Sequence, residues 1–306
     1  MHIISPSNAR LSTLLGFIAM VLVWGSFPVA ARIGVEYAPP LLFSGTRFLL
    51  AACLMGLLAF IQRKRLWITR KQHQQVFVVS LFMVGVPSSI FFAAAPYAPI
   101  GVLTLMWATT PIFTAIFNLR GAGEARGWRL IASLVVGFIG ILIVLLGRLP
   151  FWPVNGSGPF TFANSGPALI GELAVLASAS VYGFGLRLAK RSDPDLPVTV
   201  LTTWQIFYSG AFVALLSLIF EHGDAINPTW TLFGVLLYLV VFCSCISFFL
   251  TFWLIRHIGA IRTAYGDFII PGVTLVLSYF LLGESLTLAK VGGFVLVILG
   301  CILVEM

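Results

Sequence analysis

Arg47 places a guanidinium inside the apolar run Leu41–Ile61, and no other residue in the chain offers such clear chemistry. A charge at that depth is costly and needs a reason to be there. Its planar fork of donors matches a carboxylate or a phosphate, which it can grip through two parallel hydrogen bonds. The structural alternatives are snorkelling to the nearer interface, or pairing with Glu36 or Glu172. Two carboxylates stand in similar surroundings: Glu172 near the start of Ala168–Leu188, and Asp267 early in Arg262–Leu282. Each is a candidate to take up and release a proton. Each is equally a structural partner, Glu172 for Arg47 and Asp267 for Arg262 or Arg256.

Neutral polar residues extend this set. Trp24, Trp107, Tyr182, Trp204 and Tyr265 lie in or beside apolar runs, where an indole N–H or phenol O–H needs a partner. Water or a bound solute in a cavity supplies one; close packing against the backbone is the alternative. Gln205 and Ser88 add an amide and a hydroxyl at the same depth. Pro28, Pro87, Pro111 and Pro271 interrupt apolar runs, and each removes a helical hydrogen bond and frees a carbonyl. Freed carbonyls are tolerated beside protein or water, so these positions are read as hinges of cavity-lining helices.

Other chemistry is missing. Cys53, Cys243, Cys245 and Cys301 lie in apolar runs without metal-ligand spacing and read as small buried residues. His257 reads as a solvated loop residue beside Arg256. Asn155-Gly156-Ser157 has the form of a glycosylation acceptor, a pattern too short to decide anything. No hydrolase triad, phosphate-binding loop, dinucleotide fingerprint or zinc motif is found, so neither an enzyme nor a cofactor or metal is expected.

The elements that must hold these residues are membrane helices. Of 306 residues, 59% are hydrophobic and 9% charged, with mean hydropathy +1.04. That leaves too little polar side chain to cover a soluble domain. Runs of about twenty apolar residues are long enough to span a bilayer. Ten are present: Leu14–Gly34, Leu41–Ile61, Gln75–Ala95, Ile100–Leu119 and Leu130–Gly147, then Ala168–Leu188, Val198–Phe220, Leu232–Leu254, Arg262–Leu282 and Leu286–Val304. The first is too long for a signal sequence and reads as a retained helix. With the N-terminus inside, every Lys and Arg except Arg32, Arg47, Arg148 and Lys290 falls at cytoplasmic loops or helix ends. The net charge of +8 is therefore read as topology, with both termini cytoplasmic, and no nucleic-acid partner is expected.

The chain repeats itself. Pro111, Gly123, Glu124 and Gly140 recur as Pro271, Gly283, Glu284 and Gly300, at an offset of 160. Trp24, Gly25 and Arg32 correspond to Tyr182, Gly183 and Lys190 at an offset of 158, which also sets Arg47 opposite Gln205. Five runs per half is an odd number, so the second half enters from the opposite face and the halves are inverted. Glu124 and Glu284, at loop-to-helix junctions, are expected to stabilise the helix that follows each. The Gly137/Gly140 and Gly292/Gly293/Gly300 sets suit close helix packing, within the chain rather than at a dimer face.

The Trp24-Gly25-Ser26 start, the basic residue after it, Arg47, and the Pro-to-Glu spacing before a Gly-rich last helix resemble the drug/metabolite transporter superfamily with tandem EamA-like repeats. The resemblance covers nearly the whole chain. It implies an all-α integral membrane protein of ten transmembrane helices, 5+5 inverted. It also implies a central cavity lined mainly by the first four helices of each half. Residues 1–147 and 168–306 would be the repeats and 148–167 an extracytoplasmic linker. The expected function is secondary or facilitative carriage of a small metabolite, such as amino acid export, by alternating access across the cell (inner) membrane. Protons are the candidate co-substrate and the protein is expected as a monomer or weak homodimer. Tyr182 in place of Trp, and Gln205 in place of Arg, make the half-sites chemically unequal and suit an asymmetric solute. A membrane enzyme acting on lipid-linked substrates is the rival reading. It would want His or carboxylates clustered at one interface.

Overall fold

The computed structural model describes residues 6–118, 132, 135–140, 142–143, 166–189, 196–222, 225–258, 263 and 266–305. Among them the ordered elements are all helical. In chain order they are α1 (Pro6–Gly34), α2 (Pro40–Ile61) and α3, which is α-helical over Arg70–Ser80, π-helical over Leu81–Gly85 and α-helical again over Val86–Ala94. Next comes α4, in two pieces, Ile100–Trp107 and Thr110–Asn118. Residues 135–140 are helical and are labelled α5. Then follow α6 (Gly166–Ala189) and α7 (Val198–Phe220). The next, α8, runs as Trp230–Tyr238, a π segment Leu239–Ile246, and Ser247–Ile258. Last are α9 (Gly266–Leu282) and α10 (Leu288–Glu305).

Six of these are long and apolar enough to cross a bilayer, and Ile100–Thr114, Ile269–Leu282 and Leu288–Gly300 are shorter apolar helices. The expected ten spans are thus seen in part. A turn at Ala108–Thr109 cuts the fourth run, and most of the fifth run lies outside the described residues. Leucines and phenylalanines such as Leu57, Phe60, Leu218 and Phe280 point outward and exposed, as a lipid-facing surface requires. Trp67, between α2 and α3, and Trp230, the first residue of α8, are exposed near helix ends, where indoles suit the headgroup level.

The packing repeats when each helix of the first half is exchanged for its counterpart five places on. α1 packs on α8 and α9; correspondingly, α6 packs on α3 and α4. α2 touches α8, and α7 touches α3. The self-matched pairs α2–α7 and α4–α9 also pack together. Along α2–α7, Gly45 lies against Ala214, Gly210 against Leu49, and Gly56 near Thr203. One number rises as the other falls, so these two matched helices run antiparallel, as inverted halves demand.

The repeated glycines explain themselves here. A Cβ on Gly25 would stand 2.5 Å from Val273, and one on Gly183 would stand 3.0 Å from the Thr114 nitrogen. Only glycine lets α1 meet α9, and α6 meet α4, at these matched crossings. A Cβ on Gly140 would likewise stand 2.8 Å from the Gly293 carbonyl oxygen, so this glycine pair is used inside the chain.

Helix ends are stapled across the halves. Pro39 and Pro40 open α2 without a side-chain cap, and the Leu41 and Leu42 N–H groups donate instead to the Glu221 carboxylate at the end of α7, both at 2.7 Å. At the opposite end, the Thr199 hydroxyl donates to Gln62 Oε1 at 3.1 Å. Glu284 does stabilise a helix start, but that of α4 rather than of the helix following it. It accepts from Ile100 N at 2.6 Å and Gly101 N at 3.2 Å, and meets Lys290 at 3.5 Å. Its repeat mate Glu124 lies outside the described residues. Glu221→Ala is expected to strand two N–H donors at a cost of about 2 kcal/mol. A lowered denaturation midpoint in detergent checks this.

Candidate functional site

Arg47 faces inward from the first half of α2 and is 2% exposed. Its Nε and Nη1 have no hydrogen-bond partner, and neither Glu36 nor Glu172 pairs with it. Glu36 lies instead 3.8 Å from Arg32. Three phenyl rings enclose the guanidinium. Its central carbon sits 4.1 Å from the centroid of Phe48, 4.9 Å from that of Phe27 on α1, and 5.2 Å from that of Phe92 on α3. Ring faces attract a cation by about 1 to 2 kcal/mol each when water is excluded, but they leave its donors unmade. Beside this cage, Ser44 meets Ser88 across the α2–α3 contact at 3.4 Å between hydroxyl oxygens. α8 brings up Cys243 within electrostatic range of Arg47. The arrangement is a buried cation with open donors, apolar walls and two hydroxyls nearby.

Gln205 is 1% exposed on α7; its Nε2 donates to the Met83 sulfur at 3.4 Å, and its Oε1 has no partner. α2 and α7 are antiparallel, and Arg47 (opposite about residue 212) and Gln205 are separated by about seven residues of α7. At 1.5 Å per residue that is about 10 Å of depth. The matched pair therefore marks two levels of the protein rather than one shared pocket. The Thr202 and Ser244 hydroxyls are also buried without a partner.

Trp24 donates through Nε1 to the Thr251 hydroxyl at 3.3 Å and stands edge-on to Phe27 and Phe248. It thus abuts the Arg47 cage through Phe27. Trp107 lies against Phe91 at 6.0 Å and Tyr182 at 5.4 Å. Tyr182 also lies within electrostatic range of Asp267 on α9. Glu172 is wholly buried on α6. Trp204 stands apart. Its Nε1 donates to the Leu66 carbonyl at 2.8 Å, and its ring packs on His73 and Tyr208 at the end of α2. Trp204→Phe is expected to cost about 1 kcal/mol of stability with solute flux unchanged, read as a lower melting point with normal uptake. Tyr265 lies outside the described residues.

The prolines behave unequally. Pro28 sits within a continuous α1. Pro87 follows the π segment of α3, where its missing N–H accounts for the loosened turn. The π segment of α8 begins 158 residues after that of α3 and has no proline. Such segments often mark functional sites, and this one carries Cys243 and Ser244 towards the interior. Pro111 is the second residue of the second piece of α4, just after the break at Ala108–Thr109, whereas its mate Pro271 lies inside an unbroken α9. The phenyl cage, Tyr238 and the α8 π segment escaped sequence reasoning. Phenylalanine is too common here to single out, and the offset of 158 that relates Leu239 to Leu81 becomes visible only once both π segments are seen.

The profile of the EamA-like transporter family matches residues 11–146 and 169–306. Among curated proteins, the "Uncharacterized transporter YoaV" of Bacillus subtilis is 26% identical and covers 94% of each chain. The "Probable amino-acid metabolite efflux pump" of Salmonella typhimurium is also 26% identical, over 93% of this chain and 92% of that one. The "Uncharacterized inner membrane transporter YedA" of Escherichia coli is 26% identical over 88% of this chain and 82% of that one. A solved crystal structure shares the fold with a TM-score of 0.61 at 17% identity, covering 95% of this chain and 96% of that chain.

Proposed function

This chain belongs to the EamA-like transporter family, and from that premise we propose a carrier that binds the acid group of a small amphipathic solute, such as an amino acid, at Arg47. It is a multi-pass membrane protein of the transporter class. The proposal adds the substrate class, the site and an alternating-access mechanism. The observation that carries it is the buried guanidinium with unfilled donors inside three phenyl rings. A cation so placed is stabilised when a carboxylate completes its hydrogen bonds, while the rings suit an apolar side chain. The name of the Salmonella relative supports amino-acid metabolites and the outward direction.

In this reading residues 1–147 and 168–306 are the two moving halves, ten spans in all, with 148–167 as linker and both termini cytoplasmic. Trp24, Ser88, Trp107, Tyr182 and Gln205 line the path, and Asp267 and Glu172 are the candidate proton sites. Hinging occurs at Pro28, Pro87, Pro111 and Pro271. The protein acts as a monomer or weak homodimer in the inner membrane. A thermal-shift screen of the purified protein against amino acids, nucleosides, sugars and phosphorylated metabolites tests the substrate class. Stabilisation by acids alone, absent in Arg47→Ala, is the expected result; stabilisation by uncharged sugars alone would refute it.

A further inference from the structure

Between α1, α8 and α9 a cleft of about 270 Å³ opens on the outer surface of the helices, near the lower end of the size range of small-molecule sites. Val29 and Ile33 of α1, Gly234 of α8 and Leu277 of α9 are among its walls. Gly234 is exposed, and a Cβ there would meet nothing within 4 Å. The lining is apolar except at one point, where the Ser26 and Tyr238 hydroxyls meet at 2.5 Å. Ser26 also donates to the Val23 carbonyl. Behind this bridge lies the Arg47 site. Phe27, the next residue, forms one wall of the guanidinium cage. Cys243, within electrostatic range of Arg47 and Tyr238, directs its thiol towards the Val23 carbonyl at 3.7 Å.

The fold alone does not require this opening, because the repeat supplies a control. The offsets that match the halves set Phe184 opposite Ser26 and Phe117 opposite Leu277. At that equivalent place, between α3, α4 and α6, Phe184 packs on Phe82 and Phe117 with centroids 5.4 and 5.5 Å apart. Three rings plug one site, while the other is left open with a hydroxyl pair at its floor. The open cleft lies on the half of the protein where α2 begins, the same half that holds Arg47.

We propose that this cleft is a lateral portal between the bilayer and the Arg47 site, taken by the alkyl or aryl tail of an amphipathic acid, with the Ser26–Tyr238 bridge as its bolt. The proposal rests on the reading of Arg47 as the acid anchor and deepens it. A carboxylate at Arg47 projects its tail past Phe27 and Tyr238 into apolar walls, so the solute need not strip its tail of apolar surroundings. The charge left open at Arg47 favours an acid from the solute pool over a neutral lipid.

The test uses the full-length protein in liposomes of neutral lipid and decanoic acid bearing a terminal diazirine, with labelled peptides mapped after illumination. Labelling of the cleft-lining peptides of α1, α8 or α9 is expected, displaced by unlabelled decanoate. It should fall by about tenfold in Gly234→Leu, where chain burial is lost, and equally in Arg47→Ala and Arg47→Gln. Gly234→Leu should keep its melting point, since the new side chain enters open space, and should still bind butyrate. Cleft labelling that persists in both Arg47 variants would mean the cleft holds bilayer-type tails only, and overturns the portal. Labelling that depends on Arg47 but maps away from the cleft, or is unchanged in Gly234→Leu, overturns the portal and leaves the Arg47 anchor standing. Butyrate binding that persists without Arg47 overturns the anchor and the portal with it.

Discussion

Arg47→Ala is expected to lower the flux of an acidic solute by about two orders of magnitude, the loss that follows when a desolvated charge pair is deprived of one member. The same change should leave the denaturation midpoint unaltered or raised. The protein without solute bears the cost of a buried cation whose Nε and Nη1 find no partner. Alanine removes that cost together with the attraction of three rings, so the two effects offset one another. A residue that merely holds the fold would behave in the opposite way, with stability falling and flux falling only in proportion. Arg47→Lys keeps the charge but not the fork, and should recover part of the flux with a weaker apparent affinity. Uptake into proteoliposomes, normalised to folded protein, separates these cases.

Gly45→Leu should abolish folded protein altogether. A Cβ at this position would lie 2.9 Å from the nitrogen and 3.1 Å from the Cα of Ala214, so it meets backbone rather than a movable side-chain tip. α2 and α7 form the central antiparallel pair on which Arg47, Ser44 and Gln205 are mounted. Pushing them apart costs on the order of 3 kcal/mol. It also unseats the Glu221 clamp on the start of α2. Gly56→Ala on the same helix is the matched control, since its added Cβ would stand at an ordinary 3.6 Å from Thr203. Size-exclusion of the detergent-solubilised protein should show a single sharp peak for Gly56→Ala and aggregate for Gly45→Leu.

Hydropathy and the repeat offsets were enough to read the helical membrane class and the correspondence of α2 with α7, because both depend on properties carried along the chain itself; that the two helices pack together is seen only in the fold. Arg47 was legible as the chief candidate because a guanidinium in an apolar run has few tolerable destinations, but the choice between an inward position and snorkelling is made by its burial. What touches it was not legible. Phe27, Phe48 and Phe92 come from three helices, and nothing in 27 phenylalanines marks which ones converge. Glu284 was legible as a helix-end carboxylate, but the helix it serves is α4, reached only through the α4–α9 crossing. Trp204 shows the converse. Its repeat position beside Gln205 suggests the cavity, yet one residue along a helix turns the side chain by about a quarter of a circle. The indole therefore meets the Leu66 carbonyl instead.

The central claim is that two inverted halves expose one Arg47-centred site alternately to either side. Trans-stimulation tests it most directly, with labelled solute entering proteoliposomes that are either empty or preloaded with the same unlabelled solute. Once the thermal-shift screen supplies an acidic solute, preloading should accelerate its entry in the wild type and have no effect in Arg47→Ala. Entry that is equally fast in empty and preloaded vesicles, and unchanged by loss of Arg47, would contradict the account.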